Sequence, residues 1–251
     1  MKFPASSAPI YFLMQPSFKD SLTDVNNKCI SVPNKITGLS IIQPTSSLQP
    51  TLTSSGLAGS FRSTNVPEST GISSLSWLGS QYMEYDTLAA RYSGTEIPLT
   101  IMATASCTSP ATGTQVVWSL GSAGTTPILS LQYNGSNIVL KQISSGGTAT
   151  CTFATDAKLH VFTAVKSATA LTLRVDGVQV ATAATVSATE TFTTFVVGAQ
   201  NNNGSVSNYL TGTTATIAAY AGVADVYPAE IEQLVGTGII RSATSGTNVG
   251  F

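Results

Sequence analysis

The chain has 251 residues, of which 42% are hydrophobic and only 9% charged, and its net charge is −1. That length sustains one large β-sandwich plus a small extra segment, with enough apolar residues for a sizeable core. There is no basic stripe and no run of Lys or Arg, so neither nucleic-acid binding by phosphate neutralisation nor an electrostatic membrane anchor is expected. No apolar stretch reaches the ~18 residues that span a bilayer. The polar surface has to be built from Ser, Thr, Asn, Gln and Gly, a composition that favours strands.

Residues 1–45 carry Pro4, Pro9, Pro16, Pro33 and Pro44, and four of the eleven basic residues: Lys2, Lys19, Lys28 and Lys35. Proline interrupts ladders, so arms, short strands and turns are expected here. The segment either attaches to another subunit or packs on the sandwich. The opening Met1-Lys2-Phe3-Pro4 has a basic start, but the apolar run of residues 8–14 contains Pro9 and ends at Gln15-Pro16 with no small-residue cleavage site. It reads as a strand or extended arm rather than a cleaved signal. Residues 45–80 are rich in Ser, Thr and Gly around Leu75-Ser76-Trp77-Leu78, and read as loops with one or two strands.

From Pro98 the strand signal is strong, at residues 99–105, 115–120, 149–153, 159–165, 191–197 and 214–221. Two hairpins can be set by register. Leu171, Leu173 and Val175 alternate with polar residues up to Asp176-Gly177, a type I′ turn pair. Val175 should then face Val178, and Leu173 should face Val180. In the second hairpin, Asn134-Gly135 as the turn pairs Leu131 with Ile138 and Leu129 with Leu140. Each register puts the apolar set on one face, as a half-buried sheet requires. Residues 228–236, Pro-Ala-Glu-Ile-Glu-Gln-Leu-Val-Gly, form the one helical signal, with Pro and acids at the start and Gly at the end. Short, evenly spaced strands argue for a sandwich rather than βαβ units.

Chemistry is sparse. The single histidine, His160, sits in a strand and reads as a solvent-facing or hydrogen-bonded residue. There is no G-x-S-x-G, no P-loop and no dinucleotide fingerprint, so no catalytic or cofactor-binding residues are assigned. Glu84 and Asp86 alternate and are expected on one strand face, the one carboxylate pair that suggests glycoside chemistry. Asp86, Asp156 and Asp225 could give oxygens to a structural calcium ion, but no D-x-D-x-D-G loop gathers them, so the metal ligands stay undefined. Cys29, Cys107 and Cys151 have no C-x-x-C spacing and read as free buried thiols, which fits folding in a reducing cytoplasm. Among Trp77, Trp118, Tyr133, Tyr209 and Tyr220, Tyr209 beside the polar loop 200–208 is the surface candidate for stacking on a sugar.

Three ordered stretches carry a resemblance. They are Gln49-Pro50-Thr51-Leu52 with Gly56-Leu57-Ala58-Gly59; His160-Val161-Phe162-Thr163 through Asp176-Gly177; and Val197-Gly198-Ala199, Leu210-Thr211-Gly212, Ile217-Ala218-Ala219-Tyr220 and Glu230-Ile231-Glu232-Gln233-Leu234. Together they resemble the concanavalin A-like lectin/glucanase superfamily, in the laminin-G-like form common in bacteriophage proteins. The resemblance implies an all-β antiparallel jelly roll over residues 46–236, closed by one short C-terminal helix. Residues 1–45 would be an irregular Pro-rich arm and residues 237–251 a tail. The superfamily's glucanases use an E-x-D-x-x-E strand; here Glu84-Tyr85-Asp86-Thr87-Leu88-Ala89 lacks the third carboxylate, so hydrolysis is not carried over. The leading expectation is a non-enzymatic virion structural protein, a capsid decoration or surface fibre component on the virion surface. It would form a homo-oligomer and contact other capsid or tail proteins. The alternative is a carbohydrate-binding adhesion module that contacts a cell-surface glycan; a second, disfavoured alternative is a glycoside hydrolase of the glucanase type built on Glu84 and Asp86.

Overall fold

The computed structural model describes residues 10–14, 16, 21–53, 73–107, 111–122, 124, 126–156, 158–202, 204–222, 240–241 and 248–249. In chain order the first strands are β1 (Ile10–Met14), β2 (Leu22–Thr23), β3 (Cys29–Pro33), β4 (Ser40–Ile42), β5 (Thr51–Thr53), β6 (Ser74–Leu78) and β7 (Met83–Glu84). A short helix α1 (Asp86–Ala89) and a 3-10 turn (Ala90–Tyr92) come next. Then follow β8 (Gly94–Thr95), β9 (Leu99–Cys107), β10 (Ala111–Gly121), β11 (Ile128–Gly135), β12 (Asn137–Ser144), β13 (Gly147–Ala154) and β14 (His160–Lys166). The sandwich is completed by β15 (Ala170–Val175), β16 (Val178–Ala184), β17 (Thr189–Glu190), β18 (Thr194–Val197), β19 (Gln200–Asn202), β20 (Ser205–Ser207) and β21 (Thr211–Ala221).

The chain is an all-β antiparallel sandwich. An eight-stranded sheet runs β16-β15-β14-β9-β21-β6-β5, with β1 added to β21; a nine-stranded sheet runs β13-β12-β11-β10-β18-β7-β4-β3-β2. The period-two pattern explains the packing. Phe162 and Ala164 of β14, Ile101 and Ala103 of β9, and Ile217 and Ala219 of β21 point inward from the first sheet, against Trp118, Leu120, Leu129, Leu131 and Leu140 of the second. Tyr133 meets Phe162 across the layers edge to face, with centroids 5.9 Å apart at 84°. Each such large side chain stabilises the fold by about 1.5–3 kcal/mol relative to exposure.

At one end of the core the apolar rows stop. Lys166 continues the inward row of β14 and pairs with the buried Glu190, whose other oxygen accepts from Gln142 Nε2 at 2.9 Å. Gln142 also exchanges two hydrogen bonds with the backbone of Val186, both 3.0 Å. Burying the two charges is tolerable only because each carboxylate oxygen and the amide find partners.

The Asp176-Gly177 turn forms as expected, with positive φ at both residues (+49° and +83°) and Val175 opposite Val178. One step further a bulge shifts the register, so Leu173 faces Ala181 and not Val180, and Val178 is left exposed. A bulge adds a residue to one strand, which a regular alternation cannot anticipate. The second hairpin turns one residue later than expected. Asn134 pairs with Asn137, Tyr133 with Ile138 and Leu131 with Leu140. Gly135 (φ +59°) takes the first central position, as a type II′ turn requires. Both registers keep the apolar residues on one face, because moving the turn by one residue changes each partner by two. The observed one sets Tyr133 against Ile138 and buries both.

The Pro-rich segment supplies β1 to the eight-stranded sheet and β2, β3 and β4 to the edge of the nine-stranded one. The helix expected over residues 228–236 and the Gly56-Leu57-Ala58-Gly59 stretch lie outside the described residues.

Candidate functional site

The sequence candidates Glu84 and Tyr209 lie on the outer face of the nine-stranded sheet, and Asp86 opens the helix that follows β7. In β7, Met83 points into the core, so Glu84 points outward, in register with Val196 of β18 and Ile42 of β4. Tyr82 is two residues earlier and shares the outward direction. Its backbone is pinned on both sides: its N–H donates to Leu48 O at 3.1 Å and its carbonyl accepts from Gln43 Nε2 at 3.1 Å.

The β19–β20 hairpin closes over this face. Asn201 pairs with Val206, and Gly204 (φ +75°) turns the chain. The hairpin can lie flat because Gly121 has no side chain: a Cβ there would sit 2.2 Å from Asn201 O. Ser119 Oγ also donates to Ala199 O at 3.1 Å. Held this way, Asn201 Nδ2 donates to Glu84 Oε1 at 3.1 Å. Beyond β20, Asn208 takes a left-handed conformation (φ +54°) and delivers Tyr209 to the same face. The Tyr209 hydroxyl donates to Val206 O at 3.0 Å, and its ring lies 6.4 Å from that of Tyr82, tilted by 44°.

The electrostatics are those of partly dried carboxylates. Burial pushes the Glu84 carboxyl up, Asp86 pushes it further, and only the Asn201 amide pulls it down. Burial likewise raises Asp86, against a backbone hydrogen bond from Phe195. Burial raises the Tyr82 phenol too; the Gln43 side chain lowers it, and Glu84 and Tyr209 raise it.

Glu84 and Asp86 do not share a strand face. β7 ends at Glu84, and Asp86 opens α1. Tyr85 keeps the alternation by pointing inward, where its hydroxyl accepts from Asn34 Nδ2 at 3.2 Å and lies 3.1 Å from the Thr37 hydroxyl, and its backbone (ψ +73°) then leaves the strand to start α1. Trp77, Trp118, Tyr133 and Tyr220 are core residues, and all three cysteines are buried thiols. Burial pushes the Cys29 thiol up to about 12. Sequence reasoning did not single out Tyr82 or Asn201. The Tyr82-x-Glu84 spacing was available as a signal for the first, but nothing local marks the second.

His160 is hydrogen-bonded on both ring nitrogens, Nδ1 to Asp176 at 2.7 Å and Nε2 to Asp156 at 2.8 Å. Asp176 also accepts from the Val161 amide. Among the described residues no group of three His, Cys, Asp or Glu side chains is arranged to hold a metal ion; Asp225 lies outside them. A separate cleft of about 360 Å³ opens where β10 ends and β11 begins, lined by Ser122, Thr126, Pro127, Ser145, Thr191 and Thr193 among others. It offers hydroxyls but neither a ring nor a charge, and Ser122 is committed to its own loop through Thr126 O at 2.7 Å.

No family model and no curated protein matches the chain. Solved structures do. The leech intramolecular trans-sialidase in complex with 2,7-anhydro-Neu5Ac aligns with a TM-score of 0.52 at 16% identity, over 65% of this chain and 27% of the enzyme. The CBM40 of the Ruminococcus gnavus IT-sialidase, bound to α2,3-sialyllactose, aligns with a TM-score of 0.50 at 14% identity, over 65% of this chain and 97% of the module. The chain shares the antiparallel β-sandwich fold of these structures. The NanB sialidase of Streptococcus pneumoniae carries the same sandwich, with a TM-score of 0.50 at 14% identity over 59% of this chain and 25% of that one. The chain spans about a quarter of the length of the leech and pneumococcal enzymes.

Proposed function

We propose that this chain is a non-catalytic carbohydrate-binding adhesion module that contacts a glycan through the Tyr82–Tyr209 face. The observation that carries the reading is the pair of half-buried tyrosine rings beside the hydrogen-bonded Glu84–Asn201 pair. Rings stack on the C–H face of a sugar, while a carboxylate and an amide accept and donate to its hydroxyls. The likeness to a CBM40 seen bound to sialyllactose supports it at the level of fold. Catalysis is disfavoured because the third glucanase carboxylate is missing and Asp86 is held by the Phe195 amide. The test is a glycan array followed by titration of the best ligand. Tyr209→Ala should weaken binding about tenfold, roughly 1.4 kcal/mol, in a chain that circular dichroism shows to be folded. An array without any bound glycan removes the reading.

A second reading, attachment to other virion proteins at a particle surface, is favoured by one feature. Leu22, Val25, Ile36, Leu39 and Ile42 are exposed, five of the eight exposed large apolar side chains among the described residues. This concentration within β2 to β4 suits contact with a capsid or tail protein. Particles that lack this polypeptide by mass spectrometry would remove that reading.

A further inference from the structure

We propose that Lys166 and Gln142 become joined by an isopeptide bond that ties the two sheets together, with Glu190 carrying the protons. The bond lies in the core and does not depend on the glycan-binding reading. Phe162, Ala164 and Lys166 form the inward row of β14 in the eight-stranded sheet, and Ile138, Leu140 and Gln142 form that of β12 in the nine-stranded one. An amine from one sheet and a carboxamide from the other therefore meet at Glu190, where the apolar rows stop. Lys166 is 2% exposed, and Gln142 and Glu190 are fully buried.

The arrangement has the parts of an acyl transfer. Glu190 bridges the two reactants: one oxygen contacts Lys166 Nζ, and the other accepts from Gln142 Nε2 at 2.9 Å. One carboxylate can thus take a proton from the nucleophile and hand one to the leaving nitrogen. The electrophile is held and polarised. Gln142 Oε1 accepts from the Val186 N–H, and Nε2 donates to Val186 O, both at 3.0 Å. That N–H is aimed at the oxygen on which charge develops during attack. The Lys166 ammonium, in turn, is short of acceptors. It carries three N–H donors, and among the described residues its one hydrogen-bond partner is Glu190. Buried donors left unpaired are costly, whereas an amide nitrogen brings a single N–H.

In the step itself, Nζ gives one proton to Glu190 and attacks Gln142 Cδ. The Nζ–Cδ bond forms and the Cδ–Nε2 bond breaks. A second proton passes from Nζ through the Glu190 carboxyl to Nε2, which departs as ammonia. Nothing is oxidised or reduced. Glu190 keeps the first proton, so both buried charges disappear and the cost of holding them away from water goes with them.

Mass spectrometry of the purified full chain tests the bond without any variant. Trypsin cuts after Lys141, Lys158 and Arg174, and it cannot cut after an acylated Lys166. Residues 142–158 and 159–174 should therefore run as one species, lighter by one ammonia than the two peptides together. Its fragment ions should place the junction on Gln142 and Lys166. Two separate peptides, with ordinary cleavage after Lys166, overturn the proposal. Loss of one water with Lys166 joined to residues 175–241 overturns it as well, because Glu190 would then be the acyl donor. Glu190→Gln keeps the side-chain shape and removes the proton carrier. In a variant that circular dichroism shows to be folded, the joined species should fall by about tenfold or more; an undiminished yield overturns the role of Glu190.

Discussion

Gly198 is constrained twice, by its own backbone conformation and by the side chain packed on it. It sits in a left-handed conformation (φ +84°), and a Cβ there would lie 2.5 Å from Cε3 of Trp77. Trp77 has little room to retreat, since it is buried and its Nε1 donates to Thr214 Oγ1 at 3.0 Å. The indole thus lies directly on the backbone that leads from β18 into the β19–β20 hairpin, and core packing is tied to the placement of Asn201. Gly198→Ala combines over-packing with an unfavourable φ, so a loss of roughly 2–4 kcal/mol is expected. Urea unfolding followed by tryptophan fluorescence measures it. A loss below about 1 kcal/mol would show that Trp77 can shift without cost.

The hairpins show what a strand pattern contains. For β11 and β12, alternation fixes the face but not the turn, because the two registers that differ by one turn residue bury the same side. The observed register makes a separable prediction. Gly135 needs positive φ, and its Cβ position has nothing within 4 Å, so Gly135→Ala should cost about 1–2 kcal/mol from backbone conformation alone. Asn134 lies in the ladder opposite Asn137, and Asn134→Ala should cost little. Comparable losses from both changes, measured by thermal unfolding, would restore an Asn134-Gly135 turn. Long strands such as β9, β14 and β21 were legible because seven to eleven residues run on as apolar and β-branched stretches, buried almost throughout. Two- and three-residue strands such as β2, β4 and β7 were not, since they exist only where a neighbouring strand accepts them. The site divides in the same way. Tyr209 was legible from the polar loop beside it, whereas the Asn201–Glu84 contact spans 117 positions of sequence and follows from the hairpin settling on Gly121.

At the scale of the whole sandwich, β14 runs between two charged assemblies, the buried Lys166–Glu190 pair at one end and the Asp156–His160–Asp176 clasp at the other. The clasp joins three pieces of chain: the β13–β14 connection, β14 itself and the β15–β16 turn. Charged or titratable neighbours include Lys158, 3.1 Å from Asp156 and largely exposed, the two carboxylates, and the buried Tyr133 phenol, which Asp156 acts on; the Phe162 ring packs 5.8 Å from the imidazole. Burial by itself lowers the His160 pKa, but the hydrogen bonds and charges of Asp176 and Asp156 outweigh it, and the net shift is upward. Asp156 moves downward, chiefly through its hydrogen bond to His160. A histidine raised in the folded state contributes stability that is complete below its unfolded pKa of about 6.5 and is lost as pH rises through the higher folded value. A lowered aspartate contributes stability present above about 3.9 and lost as pH falls through its folded value. The clasp is therefore strongest between about pH 4 and 6.5 and loosens toward alkaline pH, because a neutral imidazole can donate to only one of the two carboxylates. The thermal midpoint should accordingly fall between about pH 6 and pH 9 in the native chain, and much less in His160→Gln, which removes the titrating group. Parallel profiles for the two proteins would mean that the clasp carries no pH-dependent share of the stability.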